Sequence, residues 1–216
     1  MNAPEMVMVG AINKNDHSAN AQWRTITSKK AHPDYVHGDT ELTNDIAVVE
    51  FSPPVVLNTD VQLSKIVADD KALLKEKTVL ISGYGIFTII NNRTYSSTTL
   101  QFANVTFFPF VYCHRAWKNT LTANQICAGA PGRGSGGGDS GGPIQVSHND
   151  QLYQVGLTSF GTITNVYNQH RTPAVFTRIS PYCDFIEEAT NSVVKCGSVA
   201  PAVPTPTAPG CECPCK

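Results

Sequence analysis

The sequence predicts an antiparallel all-β chain that ends in a single helix. Three observations predict it. Sixteen glycines and 14 prolines punctuate the 216 residues, short apolar segments recur between those turn signals, and helical periodicity appears only near the end. The apolar segments fall at 5–12, 46–51, 78–81, 100–108, 152–157 and 174–179. Each carries the valine, isoleucine and aromatic content that suits a pleated, half-buried surface. The helix is expected directly after the last of them. Ser180 can cap it, Pro181 suits its first position, and Tyr182, Phe185, Ile186 and Ala189 then fall at i, i+3, i+4 and i+7. Beyond Cys196 the composition changes to GSVAPAVPTPTAPGCECPCK, with five prolines and no aromatic residue. Residues 197–216 therefore read as an extended, polyproline-like stalk, separate from the domain at 1–196. The stalk ends in Cys211, Cys213 and Cys215, which are read as thiols that pair with each other or with another chain. Three thiols at alternate positions without a nearby histidine do not make a zinc site.

Composition excludes several classes of function. With 41% hydrophobic residues the chain can bury a large core, and 16 Lys+Arg against 17 Asp+Glu leave no cationic footprint for nucleic acid or an anionic membrane. No apolar run approaches the roughly 20 residues of a bilayer span. The first ten residues lack a cationic start and a long apolar run, and Glu5 interrupts them, so they do not read as a signal peptide. Seven cysteines and the sequons Asn92-Arg93-Thr94 and Asn104-Val105-Thr106 nevertheless point to the secretory route, and hence to an extracellular protein.

The most informative stretch is GGGDSGGP at 136–143, a serine held between glycines with an acid before it. Glycines permit positive φ and let another chain approach the backbone closely. The string Gly138-Asp139-Ser140-Gly141-Gly142-Pro143 resembles the nucleophile loop of the chymotrypsin/trypsin-like serine proteases. Further features follow in that family's order. Asn44-Asp45-Ile46-Ala47-Val48-Val49, with His32-Pro33 and Tyr35 upstream, resembles its aspartate motif. Ile126-Cys127-Ala128-Gly129 resembles the strand ahead of the serine loop. Val155-Gly156-Leu157-Thr158-Ser159-Phe160-Gly161 and the stretch from Thr172 to Ile179 resemble the strands beside the cleft.

The resemblance implies two six-stranded antiparallel barrels with a C-terminal helix, the first barrel incomplete in this chain. It implies peptide-bond hydrolysis through an acyl-enzyme, with Ser140 as nucleophile and Asp45 as the acid that orients the general base. The N–H groups of Gly138 and Ser140 would form the oxyanion hole. Ser159 resembles the serine that hydrogen-bonds the aspartate. Gly134 matches the base of the primary specificity pocket, with Ser159, Phe160, Gly161 and Ala174 around it, so the pocket is expected to be uncharged and to take apolar residues. Cys113 is expected to pair with Cys127, and Cys183 with Cys196. Polypeptide substrates and protein inhibitors are the implied partners, with no nucleic acid or membrane, and no cofactor or metal is called for.

Two family features have no counterpart here. The family's histidine, in an Ala-Ala-His-Cys context, would fall before Met1. The six histidines present, His17, His32, His37, His114, His148 and His170, are each expected to be solvated surface residues rather than bases. Nor does the chain start with the Ile-Val-Gly-Gly type sequence whose ammonium pairs with the acid corresponding to Asp139. Asp139 is therefore expected either to turn outward or to remain an unpaired buried charge. The first half is expected to leave open sheet edges and bare apolar surface. The chain as given thus reads as an N-terminally truncated, inactive member, and the alternative is a non-catalytic homologue that binds partners.

Overall fold

The computed structural model describes residues 5–38, 42–162 and 167–201. The first part of the chain forms β1 (Met6–Val9), β2 (Gln22–Ala31), the short pair β3 (Val36–His37) and β4 (Leu42–Thr43), and β5 (Ala47–Ser52). Strands β1, β2 and β5 make an antiparallel three-stranded sheet in the order β1-β2-β5, and β3 pairs with β4. No residue of β1, β2 or β5 is fully buried. Apolar side chains beyond these strands are bare as well, Leu63 being 77% exposed. The open sheet and bare surface expected of the first half are both present.

The second part closes. Strands β6 (Thr78–Gly83), β9 (Gln101–Phe108), β10 (Gln125–Gly129), β11 (Pro143–His148), β12 (Gln151–Phe160) and β13 (Ala174–Arg178) form a six-stranded antiparallel barrel in the order β10-β13-β12-β11-β6-β9. Closure pairs every strand on both sides and so removes the edges. Phe176, Tyr153, Ile144, Val146 and Val155 fill the interior, each at most 1% exposed. All five residues of β10 are buried because its outer face is also covered. Helix α1 (Phe110–Ala116) lies over that face, where Cys113, Leu121, Cys127 and Val175 form a separate apolar cluster.

Sequence periodicity did not disclose α1, which is only seven residues long. It also missed the hairpin of β7 (Ile86–Ile90) and β8 (Arg93–Ser96). That hairpin turns on Asn91 and Asn92, both at positive φ, and Asn149 and Asp150 do the same between β11 and β12. Paired positive φ values are what two-residue hairpins of primed type require, and Asn and Asp tolerate them. The terminal helix also differs from expectation. Ser180–Tyr182 form one 3₁₀ turn, and helix α2 (Cys183–Ala189) starts after it without a side-chain cap, so Ser180 does not cap it.

Both expected cysteine pairs are bonded: Cys113–Cys127 with Cα atoms 6.0 Å apart, and Cys183–Cys196 at 5.8 Å. Replacing Cys113 and Cys127 together by alanine is expected to lower stability by about 3 kcal/mol, the chain entropy of a loop this size. The urea midpoint checks it. Chain after Cys196 stays on the barrel as far as Ala200. Gly197 N–H donates to Ile66 O at 2.9 Å, and Ala200 N–H donates to the Tyr153 hydroxyl at 2.9 Å. The cysteines at 211, 213 and 215 lie outside the described residues.

Candidate active site

Asp45 lies just before β5, on a loop that the second barrel holds in place. Gln125 Nε2 donates to Leu42 O at 2.7 Å, Tyr182 donates to Asn44 Oδ1 at 2.9 Å, and Thr177 Oγ1 donates to Asp45 O at 2.8 Å. Ile46 completes the anchor by burying itself against Ile179, Tyr182 and Ile186. Burial pushes the Tyr182 phenol above its usual range, so it stays a neutral donor to Asn44. The Asp45 carboxylate then accepts a 2.6 Å hydrogen bond from Ser159 Oγ.

Ser140 reaches the same strand by another route. Its loop is stitched to β12 by Gly141 N–H to Thr158 O and Thr158 N–H to Gly142 O, both at 2.8 Å. Consecutive residues of β12, Thr158 and Ser159, therefore hold the serine loop and the acid. Within the loop Gly138 (φ +96°) and Gly141 (φ +78°) occupy conformations that other residues rarely adopt. Ser140 and Gly138 are exposed. Among the described residues neither of their N–H groups has a main-chain or side-chain acceptor, which leaves two donors free at one exposed turn.

Asp139 follows neither expected course. Its carboxylate turns inward and accepts N–H bonds from Gly85 at 2.7 Å and Gly136 at 2.8 Å. Two main-chain donors solvate the charge that an ammonium was expected to balance. A Cβ at Gly83 or Gly85 would collide with this carboxylate, so both positions need glycine. Beside it opens a cavity of about 170 Å³ whose walls include Ile86, Phe87, Gly134 and Tyr167. Tyr167 ties the β7–β8 hairpin to this wall, accepting from Ile89 N–H at 3.1 Å and sharing a 2.8 Å hydrogen bond with Thr88 Oγ1.

The other predicted residues gather nearby. Gly161 faces Ala174, whose Cβ would lie 3.5 Å from a Cβ added at Gly161. Phe160 meets Trp117 edge to face with ring centroids 5.0 Å apart, and Trp117 Nε1 donates to Pro173 O at 2.9 Å. Gly134 packs on Gln169, a fully buried side chain that nothing in the local sequence singled out. Asn92 and Asn104 are exposed, the first in the hairpin turn and the second on β9.

The six histidines all lie within the described residues, and none is hydrogen-bonded to Ser140 or Asp45. Several are not the solvated surface residues expected. His17 and His37 are exposed, whereas His32 packs on Tyr182 and Phe185, His148 Nδ1 pairs with Glu76 Oε1 at 2.9 Å, and His114 Nδ1 contacts Leu121 O at 2.9 Å. His170 Nδ1 is buried without a partner among the described residues.

A family model described as Trypsin matches residues 2–186. The chain belongs to the trypsin family. It is 30% identical over 189 residues to chymotrypsin-like elastase family member 1 of dog, which covers 86% of this chain and 72% of that protein. The rat protein of the same name is 31% identical, over 83% of this chain and 67% of the relative. Human chymotrypsin-like elastase family member 3B is 32% identical, over 74% and 59% respectively. At the level of the family, then, this trypsin-family chain is a serine protease that acts on polypeptides.

Proposed function

We propose that the chain is built for peptide-bond hydrolysis through an acyl-enzyme, with Ser140 as nucleophile, Asp45 as orienting acid and the N–H groups of Gly138 and Ser140 as oxyanion donors. The observation that carries this reading is the 2.6 Å hydrogen bond from Ser159 Oγ to Asp45, because it ties the acid to the strand that also holds the serine loop. In such a site a base takes the Oγ proton as Oγ attacks the carbonyl carbon, and the acid stabilises the imidazolium that forms. The two free N–H groups then bind the oxyanion, a charge that exists only near the transition state. Asp139 is the acid that an incoming α-ammonium would pair with, and the adjoining cavity is where such a chain end would sit. Cleavage follows an uncharged apolar residue, since Gly134 supplies no carboxylate and a buried substrate Lys or Arg would cost several kcal/mol unpaired. Its two disulfides support an extracellular protein, for which protein inhibitors are further proposed partners. Among the described residues no helix is long and apolar enough to cross a membrane.

None of the six histidines is hydrogen-bonded to Ser140 or Asp45, which supports a base supplied from outside the set. That same observation favours a second reading, a non-catalytic homologue that binds polypeptides in the cleft. One experiment separates the two. The protein is treated with p-nitrophenyl acetate with and without imidazole, and acetylation is mapped by mass spectrometry. Imidazole-dependent acetylation of Ser140, absent from exposed Ser18 and Ser52 and lost in Ser140→Ala, is the expected outcome. Equal reactivity of Ser140, Ser18 and Ser52 would leave the binding reading.

A further inference from the structure

We propose that Asn92 and Asn104 each carry an N-linked glycan, and that the two glycans flank and screen an exposed apolar surface between the β7–β8 hairpin and strand β9. The proposal rests on the extracellular reading above, because such a transfer belongs to the secretory route. Both sites have the form Asn-X-Thr with no proline between. Asn92 is the second residue of the hairpin turn, at φ +59°, and Arg93 and Thr94 beyond it are exposed. Asn104 and Thr106 are exposed on the outer wall of the barrel, because strand alternation turns Val105 between them into the core. The side chains of Asn13, Asn44, Asn58 and Asn149 bond main-chain groups, whereas among the described residues those of Asn92 and Asn104 bond nothing. A sugar on either one therefore costs the fold no contact.

What the two sites share is the apolar surface beside them. Phe87 is 55% exposed and Phe102 75%, and both line the cavity beside Asp139. Phe87 belongs to the hairpin whose turn carries Asn92, and Phe102 to the strand that carries Asn104. Phe102 and Asn104 lie on the same face of β9, about 7 Å apart along the strand. Asn92 stands roughly 16 Å beyond Phe87 along the hairpin, with Ile90, itself exposed, between them. Rings left this bare attract other chains. A bulky, hydrated oligosaccharide rooted on each side holds such chains off without filling the cavity. The attachment needs no oxidant or reductant. Asn Nδ2 forms a bond to C1 of an oligosaccharide held as a lipid pyrophosphate, the bond from C1 to the pyrophosphate oxygen breaks, and the amide gives up one proton as the lipid pyrophosphate leaves.

The test does not depend on catalysis. The full chain is translated behind a cleavable secretory leader in the presence of microsomes, and its gel mobility is compared before and after endoglycosidase H. Two glycans are expected on the native chain, one in Asn92→Gln or Asn104→Gln, and none in the double variant. A translocated chain that forms both disulfides yet carries no glycan overturns the proposal and leaves the extracellular reading standing. One that forms neither disulfide nor glycan overturns both. A glycan at only one site also overturns it, since the surface would then be screened from one side alone. Screening has its own readout, taken on glycoprotein secreted from cultured cells with high-mannose chains. Trimming each glycan to a single sugar, with no substitution in the protein, should bring on light scattering at about a tenfold lower concentration, a shift that burial of one phenylalanine side chain suffices to give. Phe87→Ser together with Phe102→Ser should abolish that shift. No change on trimming, or an equal shift in the serine variant, overturns the screening role.

Discussion

Peptide amides are expected to be hydrolysed by the 216-residue chain about 10⁶-fold more slowly than by an enzyme with a complete triad, the loss that follows removal of the base or the nucleophile. The serine loop and Asp45 are both tied to β12, and none of the six histidines is hydrogen-bonded to Ser140 or Asp45. A base held against the nucleophile acts at an effective concentration far above any that solution imidazole can reach. Soluble imidazole should therefore restore ester acylation, where the leaving group needs little help, and leave amides nearly inert. Hydrolysis of a succinyl-tetrapeptide p-nitroanilide with alanine before the scissile bond, measured beside a pancreatic elastase, checks the magnitude. Activity within about 100-fold of that enzyme, lost in Ser140→Ala, would mean that one of the six histidines reaches the serine, and histidine-to-alanine variants would identify it.

Arg178→Met is expected to destabilise the chain by about 3–5 kcal/mol, the cost of leaving a buried charge without its partner. Arg178 Nε donates to Asp70 Oδ2 at 2.8 Å and its terminal nitrogen to Oδ1 at 2.5 Å. The Asp70 side chain is 2% exposed and the Arg178 side chain 23%, so the acid loses most when the pair is broken. Its hydrogen bonds to Asp70 hold the guanidinium more firmly protonated than usual. The pair joins the connector that precedes β6 to the last barrel strand, 108 residues further on. A double variant, Asp70→Leu with Arg178→Met, should recover most of the loss because no charge is then buried. Urea unfolding of the three variants measures it. A single-variant cost under about 1 kcal/mol, or a double variant no better than the sum of the two singles, would show that the pair behaves like a surface ion pair.

How far the amino-acid order reached depended on whether the signal was local. The serine loop, the acid before β5 and the strands beside the cleft were legible because each is written in consecutive residues, and both cysteine pairs were what the family resemblance implied. Ser159 belonged to a legible strand, and its bond to Asp45 is the one the family resemblance implied. The first sheet's exposure was expected too, because the family's early strands have no counterpart among these residues. Helix α1 was not, because only Cys113 of its residues is buried, against Cys127 and Val175 beneath it, so it carries no apolar stripe.

What only the tertiary structure decided concerns side chains whose partners lie far along the chain. Asp139 could be read as an acid next to the serine, but its inward course depends on N–H groups of Gly85 and Gly136 and on the missing Cβ atoms of Gly83 and Gly85. His32 and His148 looked like loop histidines until Phe185 and Glu76 were placed beside them. Gln169 carried no signal at all. An amide in a polar loop reads as solvated, and only the close packing of Gly129 and Gly134 against it buries it. Backbone periodicity and motif order are properties of neighbours in sequence, so the sequence alone determined the family, the nucleophile loop and the strands at 46–51, 78–81, 100–108, 152–157 and 174–179, but not β2, β11 or the β7–β8 hairpin. The direction of a carboxylate and the burial of an amide are set by which distant backbone groups solvate or enclose a side chain, and those are known only once the barrel has closed.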